Sequence, residues 1–108
     1  MTLEAYQKEA AKTARYPEAY RLLYPTLGLV GEAGELANKV KKVLRDQGGE
    51  LSEETREALL AELGDVLWYV AQVATDLGAS LEAVAEANLK KLRSRLERGA
   101  ISGSGDNR

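Results

Sequence analysis

Four carboxylates stand in two pairs with the same spacing, Glu32 with Glu35 and Glu62 with Asp65. Residues three apart lie on one face of a helix, so each pair would project together. The second pair sits within ALLAELGDVLWYVAQVA, residues 58–74, where apolar side chains cover nearly the whole circumference of a helix. Such a helix is expected to be buried in a bundle or an oligomer. No Lys or Arg lies within four positions of Glu62 or Asp65, so local pairing cannot neutralise them. An unpaired ionised carboxylate costs on the order of several kcal/mol to bury, and two adjacent ones also repel. Compensation must come from basic side chains elsewhere, from protonation, from a wet cleft or from a divalent cation.

If the segment carrying Glu32 and Glu35 packs against this one, all four acids can converge on one volume. That donor set suits hard, oxygen-seeking Mg²⁺ or Mn²⁺. The chain has no His, which argues against a di-iron bundle with its Glu-x-x-His pairs. Taken alone, Glu35 and Lys39 have the favourable i,i+4 orientation of a solvated charged face. Gly28, Gly31, Gly34 and Gly64 punctuate the acidic segments, each costing about 1 kcal/mol relative to Ala inside a helix. They fit close helix packing, backbone clearance for a bulky ligand, or both.

Asn88, Lys91 and Arg95 form a polar stripe beside Leu81, Ala85, Leu89, Leu92 and Leu96. An ammonium and a guanidinium at that spacing can answer phosphate charge, with Asn88 free to bond a sugar, a base or water. Without the acids the same stripe would be an ordinary solvated flank. Trp68 and Tyr69 could stack on a base, and Tyr16, Tyr20 and Tyr24 precede the second helix. Aromatic residues in a small bundle usually fill the core, so the sequence assigns them no role.

These residues are held by helices alone. Thr2 can cap a first helix running to about Tyr16, where Pro17 interrupts it. Pro25 and Thr26 open a second, which stops at Gly48 and Gly49 with basic residues near its end. Ser52 caps a third, closed at Gly78, and Ser80 caps a fourth that ends at Arg98 and Gly99. No alternating β-branched stretch reads as a strand. The expectation is an all-α, four-helix-bundle-like domain over residues 1–99, with a Gly- and Ser-rich tail over residues 100–108.

Composition narrows the function classes. The chain has 108 residues and a formal charge of −2, with 44% hydrophobic and 30% charged residues, as in an ordinary globular domain. A core of this size is thin, so self-association is expected to supplement it. With no Cys and no His, catalysis would rest on carboxylates, Lys, Arg, Tyr, Ser or Thr. Interspersed charge argues against nucleic acid as a partner, and no apolar run is long enough to span a bilayer. The N-terminal MTLEAYQKEA has no basic stretch before an apolar one, so the cytoplasm is the expected compartment.

The ordered segments GLVGEAGEL, LLAELGDVLWYV and NLKKLRSR, from Leu27 through Arg98, resemble the MazG-like all-α nucleoside triphosphate pyrophosphohydrolases. That resemblance implies Mg²⁺-dependent hydrolysis of nucleoside triphosphates to monophosphates and pyrophosphate, often as house-cleaning of noncanonical nucleotides, by homodimers or homotetramers. On matching positions it makes Glu32, Glu35, Glu62 and Asp65 metal ligands, Lys91 and Arg95 phosphate contacts and Asn88 a polar substrate contact. Related dimeric dUTPases and some MazG-like enzymes carry an added acid directly before the first ligand, where this chain has Gly31. Glu35 or Glu62 is then the expected acceptor of the water proton. Phosphoribosyl-ATP pyrophosphohydrolase is the neighbouring enzyme alternative. A non-catalytic helical oligomer, using its acids for a partner or a cation, is the alternative from another class.

Overall fold

A computed structural model describes residues 1–99, so the tail expected over residues 100–108 lies outside the described residues. Four helices form α1 (Leu3–Ala11), α2 (Leu23–Asp46), α3 (Glu53–Asp76) and α4 (Leu81–Glu97), with a short 3-10 turn at Glu18–Tyr20. No strand occurs among the described residues, and the fold is all-α as expected. Among the described residues no helix is long and apolar enough to cross a membrane.

Local chemistry sets most of the boundaries. The hydroxyls of Thr2, Ser52 and Ser80 each accept a hydrogen bond from a first-turn N–H, at 3.0, 3.1 and 3.0 Å, satisfying donors that a helix leaves open. Gly78 and Gly99 close α3 and α4 with φ of +74° and +70°, a region that glycine enters without penalty.

Two boundaries differ from expectation. The first helix stops at Ala11 and not near Tyr16. Beyond it, Thr13 accepts a hydrogen bond from the Trp68 indole at 2.8 Å, and the Tyr16 hydroxyl donates to Asp76 at 2.8 Å. These contacts draw the chain out along α3. The second helix begins at Leu23, ahead of Pro25, which is buried in its first turn, where a missing N–H costs nothing.

α3 is the central element, in contact with α2, α1 and α4, and α1 and α4 also meet each other. Its C-terminal half is deeply buried at Ala71, Gln72 and Ala74. Gln7 of α1 ties this end together. Its amide donates to the Thr75 hydroxyl and the Ala79 carbonyl, each at 3.0 Å, and accepts from the Leu81 N–H at 2.7 Å. Ahead of that stretch α3 instead leaves Leu60, Leu63 and Leu67 exposed.

Candidate metal centre

Glu32 comes from the middle of α2, and Glu62 and Asp65 come from adjacent turns of α3. The pairing of the two long helices brings one carboxylate oxygen from each of the three within 4.8 Å of one another. Glu35 does not join this group. It lies one turn further along α2 and is exposed. Its charge still bears on Glu32.

The three acids are poorly compensated. The Glu62 side chain is 17% exposed, and its Oε2 atom is buried with no hydrogen-bond partner. Lys39 brings its ammonium to Oε1 of the same residue at 3.7 Å. It crosses between helices to reach Glu62, where the i,i+4 rule would pair it with Glu35, because negative charge is densest at the cluster. Among the described residues, one ammonium for three carboxylates leaves a surplus. The Glu32 carboxyl is accordingly pushed above the usual carboxylate range, first because its protonated form can share a hydrogen bond with Glu62, then through desolvation and the charges of Glu62, Asp65 and Glu35. Burial and the charge of Asp65 also raise the Tyr6 phenol, which brings α1 into the field of the site.

A cavity of about 390 Å³ opens at the acids, lined by Thr13, Glu32, Asp65, Trp68 and Tyr69. An adjoining cleft of about 370 Å³ shares Thr13, Trp68 and Tyr69 and adds Arg15, Tyr16, Pro17 and Tyr24. The Trp68 and Tyr69 rings meet edge to face at 4.9 Å, and Tyr16 stacks on Tyr24 at 4.9 Å. Gly28 gives Tyr69 its place, since a Cβ at position 28 would overlap three carbons of that ring. At Gly31, Gly34 and Gly64 a Cβ would meet nothing within 4 Å. Close packing thus explains one glycine, and open space surrounds the other three.

None of the α4 residues expected to contact substrate lines this cavity. Asn88 and Lys91 are exposed on α4, and Arg95 is only 4% exposed. Thr13 and Tyr6 contribute to the site with no signal in the sequence, since neither has motif spacing. Trp68 and Tyr69 are readable in the sequence as rings able to stack on a base, without a role assigned to them.

A family profile described as the MazG nucleotide pyrophosphohydrolase domain matches residues 23–99, which hold all three clustered acids. The chain belongs to that family. It is 55% identical, over the full length of both chains, to a protein of Mycobacterium phage L5 named "Gene 37 protein". It is also 39% identical, over 64% of this chain and 70% of the relative, to "Uncharacterized protein YvdC" of Bacillus subtilis (strain 168). No solved structure matches the chain. Thr13, Arg15, Tyr16 and Pro17 lie before the matched MazG region, yet Thr13 lines the cavity and all four line the adjoining cleft.

Proposed function

We propose that this protein is a divalent-cation-dependent nucleoside triphosphate pyrophosphohydrolase that releases a nucleoside monophosphate and pyrophosphate, with removal of noncanonical nucleotides as its role. One observation carries the reading: three carboxylates from neighbouring helices converge within 4.8 Å while a buried oxygen of Glu62 lacks a partner. Such a donor set fits Mg²⁺ or Mn²⁺, which prefer carboxylate oxygens. Glu32, Glu62 and Asp65 would hold the ion, with Glu35 at its edge. Bound there, the ion would offset charge on the triphosphate and on the departing pyrophosphate.

The residues supply the rest. A water oxygen bonds to phosphorus, the anhydride bond to pyrophosphate breaks, and a carboxylate accepts the water proton. Glu35 suits that last role better than Glu62, whose lone pairs face the cluster. The Trp68, Tyr69, Tyr16 and Tyr24 cleft offers flat apolar faces beside the acids, which suits a nucleobase. Lys91 and Arg95, with Asn88, are proposed as outer contacts to phosphates, since they are not among the lining residues of the cavity.

A panel of ordinary and modified nucleoside triphosphates, with phosphoribosyl-ATP included, should show pyrophosphate release that requires Mg²⁺ or Mn²⁺. Selective turnover of phosphoribosyl-ATP would move the assignment to that enzyme. No release from any of them, with or without cation, would overturn the reading in favour of a non-catalytic helical protein.

A homodimer or homotetramer is part of the proposal. Leu23, Leu27, Val30, Gly34 and Ala37 recur along α2 at the three- and four-residue steps of a helix seam, and Leu44 follows one heptad later, beyond Lys41. Leu27 and Val30 are 63% and 67% exposed, and Leu60, Leu63 and Leu67 of α3 add further apolar surface. A bare seam of this kind fits a second copy of the same helix pair. Light scattering should give a dimer or larger, and Leu27→Glu with Val30→Glu should yield a monomer of lower thermal stability. A monomeric wild-type chain at micromolar concentration would refute the interface.

A further inference from the structure

Asp76, the last residue of α3, is a buried carboxylate that the proposed chemistry does not use. Its side chain is 7% exposed and belongs to the walls of neither the cavity nor the aromatic cleft. Its Oδ2 atom accepts two hydrogen bonds, from the Tyr16 hydroxyl and from the Leu22 N–H, both at 2.8 Å. Its Oδ1 atom faces the Arg21 guanidinium at 3.9 Å. All three partners lie on the connection between α1 and α2, about 60 residues away in sequence.

That connection is strained where Asp76 grips it. Leu22 has φ +66° and ψ −51°, and the Leu23 N–H donates to the Arg21 carbonyl at 2.7 Å. This is the rare form of γ-turn, in a residue with a Cβ, and it costs on the order of 1–3 kcal/mol. It lies directly ahead of α2, two residues before Tyr24. Tyr16 stacks on Tyr24, and both rings line the cleft beside the acids. The stacked tyrosine pair of the cleft therefore hangs on one carboxylate, Tyr16 directly and Tyr24 through the Leu22 turn.

We infer that Asp76 is a positioning residue: by holding Tyr16 and the Leu22 turn it shapes the aromatic cleft, and so sets affinity for the nucleoside part of the substrate without touching it. The inference rests on the nucleotide reading above. The Tyr16 phenol is pushed up to about 12, first by burial and then by its hydrogen bond to Asp76 and the charge of that residue, consistent with a held and shielded hydroxyl.

The test compares Asp76→Ala, Asp76→Asn and Tyr16→Phe with wild type in three measurements. Asp76→Ala should raise KM for a nucleoside triphosphate about tenfold, equivalent to about 1.4 kcal/mol, with kcat kept within about twofold. Asp76→Asn, which keeps one acceptor, should fall between, and Tyr16→Phe should raise KM several-fold. Mn²⁺ affinity without nucleotide, read by electron paramagnetic resonance, should be unchanged in all three. Trp68 is the only tryptophan and lines the cleft, so acrylamide should quench it more readily in the Asp76 variants.

Folded variants with wild-type KM and wild-type quenching would overturn the inference, as would a joint loss of Mn²⁺ affinity and kcat, the mark of a merely structural role. Should Asp76→Ala fail to fold, unchanged KM in both Asp76→Asn and Tyr16→Phe overturns it equally. If the wild-type protein turns over no nucleotide, the functional reading fails by itself. Trp68 quenching, which needs no substrate, still decides whether Asp76 shapes the cleft.

Discussion

Glu62→Gln and Asp65→Asn are each expected to cut pyrophosphate release by roughly 10³-fold or more, on the scale of removing a group that stabilises developing charge. The same variants should remain folded and, in metal-free buffer, melt at a higher temperature than wild type. The two effects share one cause. Oxygens of Glu32, Glu62 and Asp65 within 4.8 Å repel in the metal-free protein, and Glu62 carries a buried oxygen with nothing to bond. Converting one acid to its amide lowers that repulsion and removes a ligand. Excess Mg²⁺ or Mn²⁺ should raise the melting temperature of wild type, since saturation at a hundred times Kd adds about 2.7 kcal/mol. The variants should respond far less. Turnover at the wild-type rate in either folded variant would remove the acids from the site.

The raised Glu32 pKa fixes how that stability varies with pH. For an acid whose folded pKa lies above its unfolded value, the folded state favours the protonated form. Its stabilising contribution is present below the ordinary Glu pKa and is lost as pH rises through the elevated one. Metal-free wild type should therefore lose this part of its stability as pH climbs above the ordinary carboxylate range, and Glu32→Gln should flatten that slope. A saturating divalent cation should flatten it too, because it favours the ionised form. Melting curves at a series of pH values, with chelator and with Mg²⁺, read all three outcomes.

What the sequence made legible is what local spacing decides. Ser52, Gly78 and Ser80 mark their helix ends because a hydroxyl cap and a left-handed glycine act within one turn of chain. Glu62 and Asp65 were readable as neighbours because the three-residue step belongs to any helix. Their meeting with Glu32 needed only that α2 and α3 pack side by side. Elsewhere distant partners took over. The first helix ends at Ala11 because Trp68 and Asp76 hold Thr13 and Tyr16, which no inspection of residues 1–17 reveals. Lys39 leaves the expected Glu35 for Glu62 because three clustered acids attract it more strongly than one exposed carboxylate. Asn88, Lys91 and Arg95 share a stripe on α4, yet the path of α4 along α1 and α3 keeps them off the cavity wall. Stripe spacing specifies a face of one helix and says nothing of which neighbour that face meets.

Gly28→Ala is the second change expected to have a large effect, and it opposes helix propensity. Inside a helix, Ala is favoured over Gly by about 1 kcal/mol, so propensity alone predicts a more stable protein. At position 28 the new methyl would occupy the space of the Tyr69 ring, whose nearest carbons no side chain could approach so closely. Overpacking of this kind costs roughly 1–3 kcal/mol, which outweighs the gain. Tyr69 can relieve the overlap only by swinging out of the wall it shares with Glu32, Asp65 and Trp68. Activity should therefore fall further than stability, with KM for nucleotide rising at least tenfold, equivalent to about 1.4 kcal/mol. Gly31→Ala, where a Cβ meets nothing within 4 Å, is the control. It should be neutral or stabilising by up to about 1 kcal/mol. Combining Gly28→Ala with Tyr69→Ala removes the overlap, so the pair should be less destabilised than the two single changes added together. Strict additivity in thermal melts, or a Gly28→Ala protein with unchanged KM, would mean that Tyr69 does not lie where the cavity needs it.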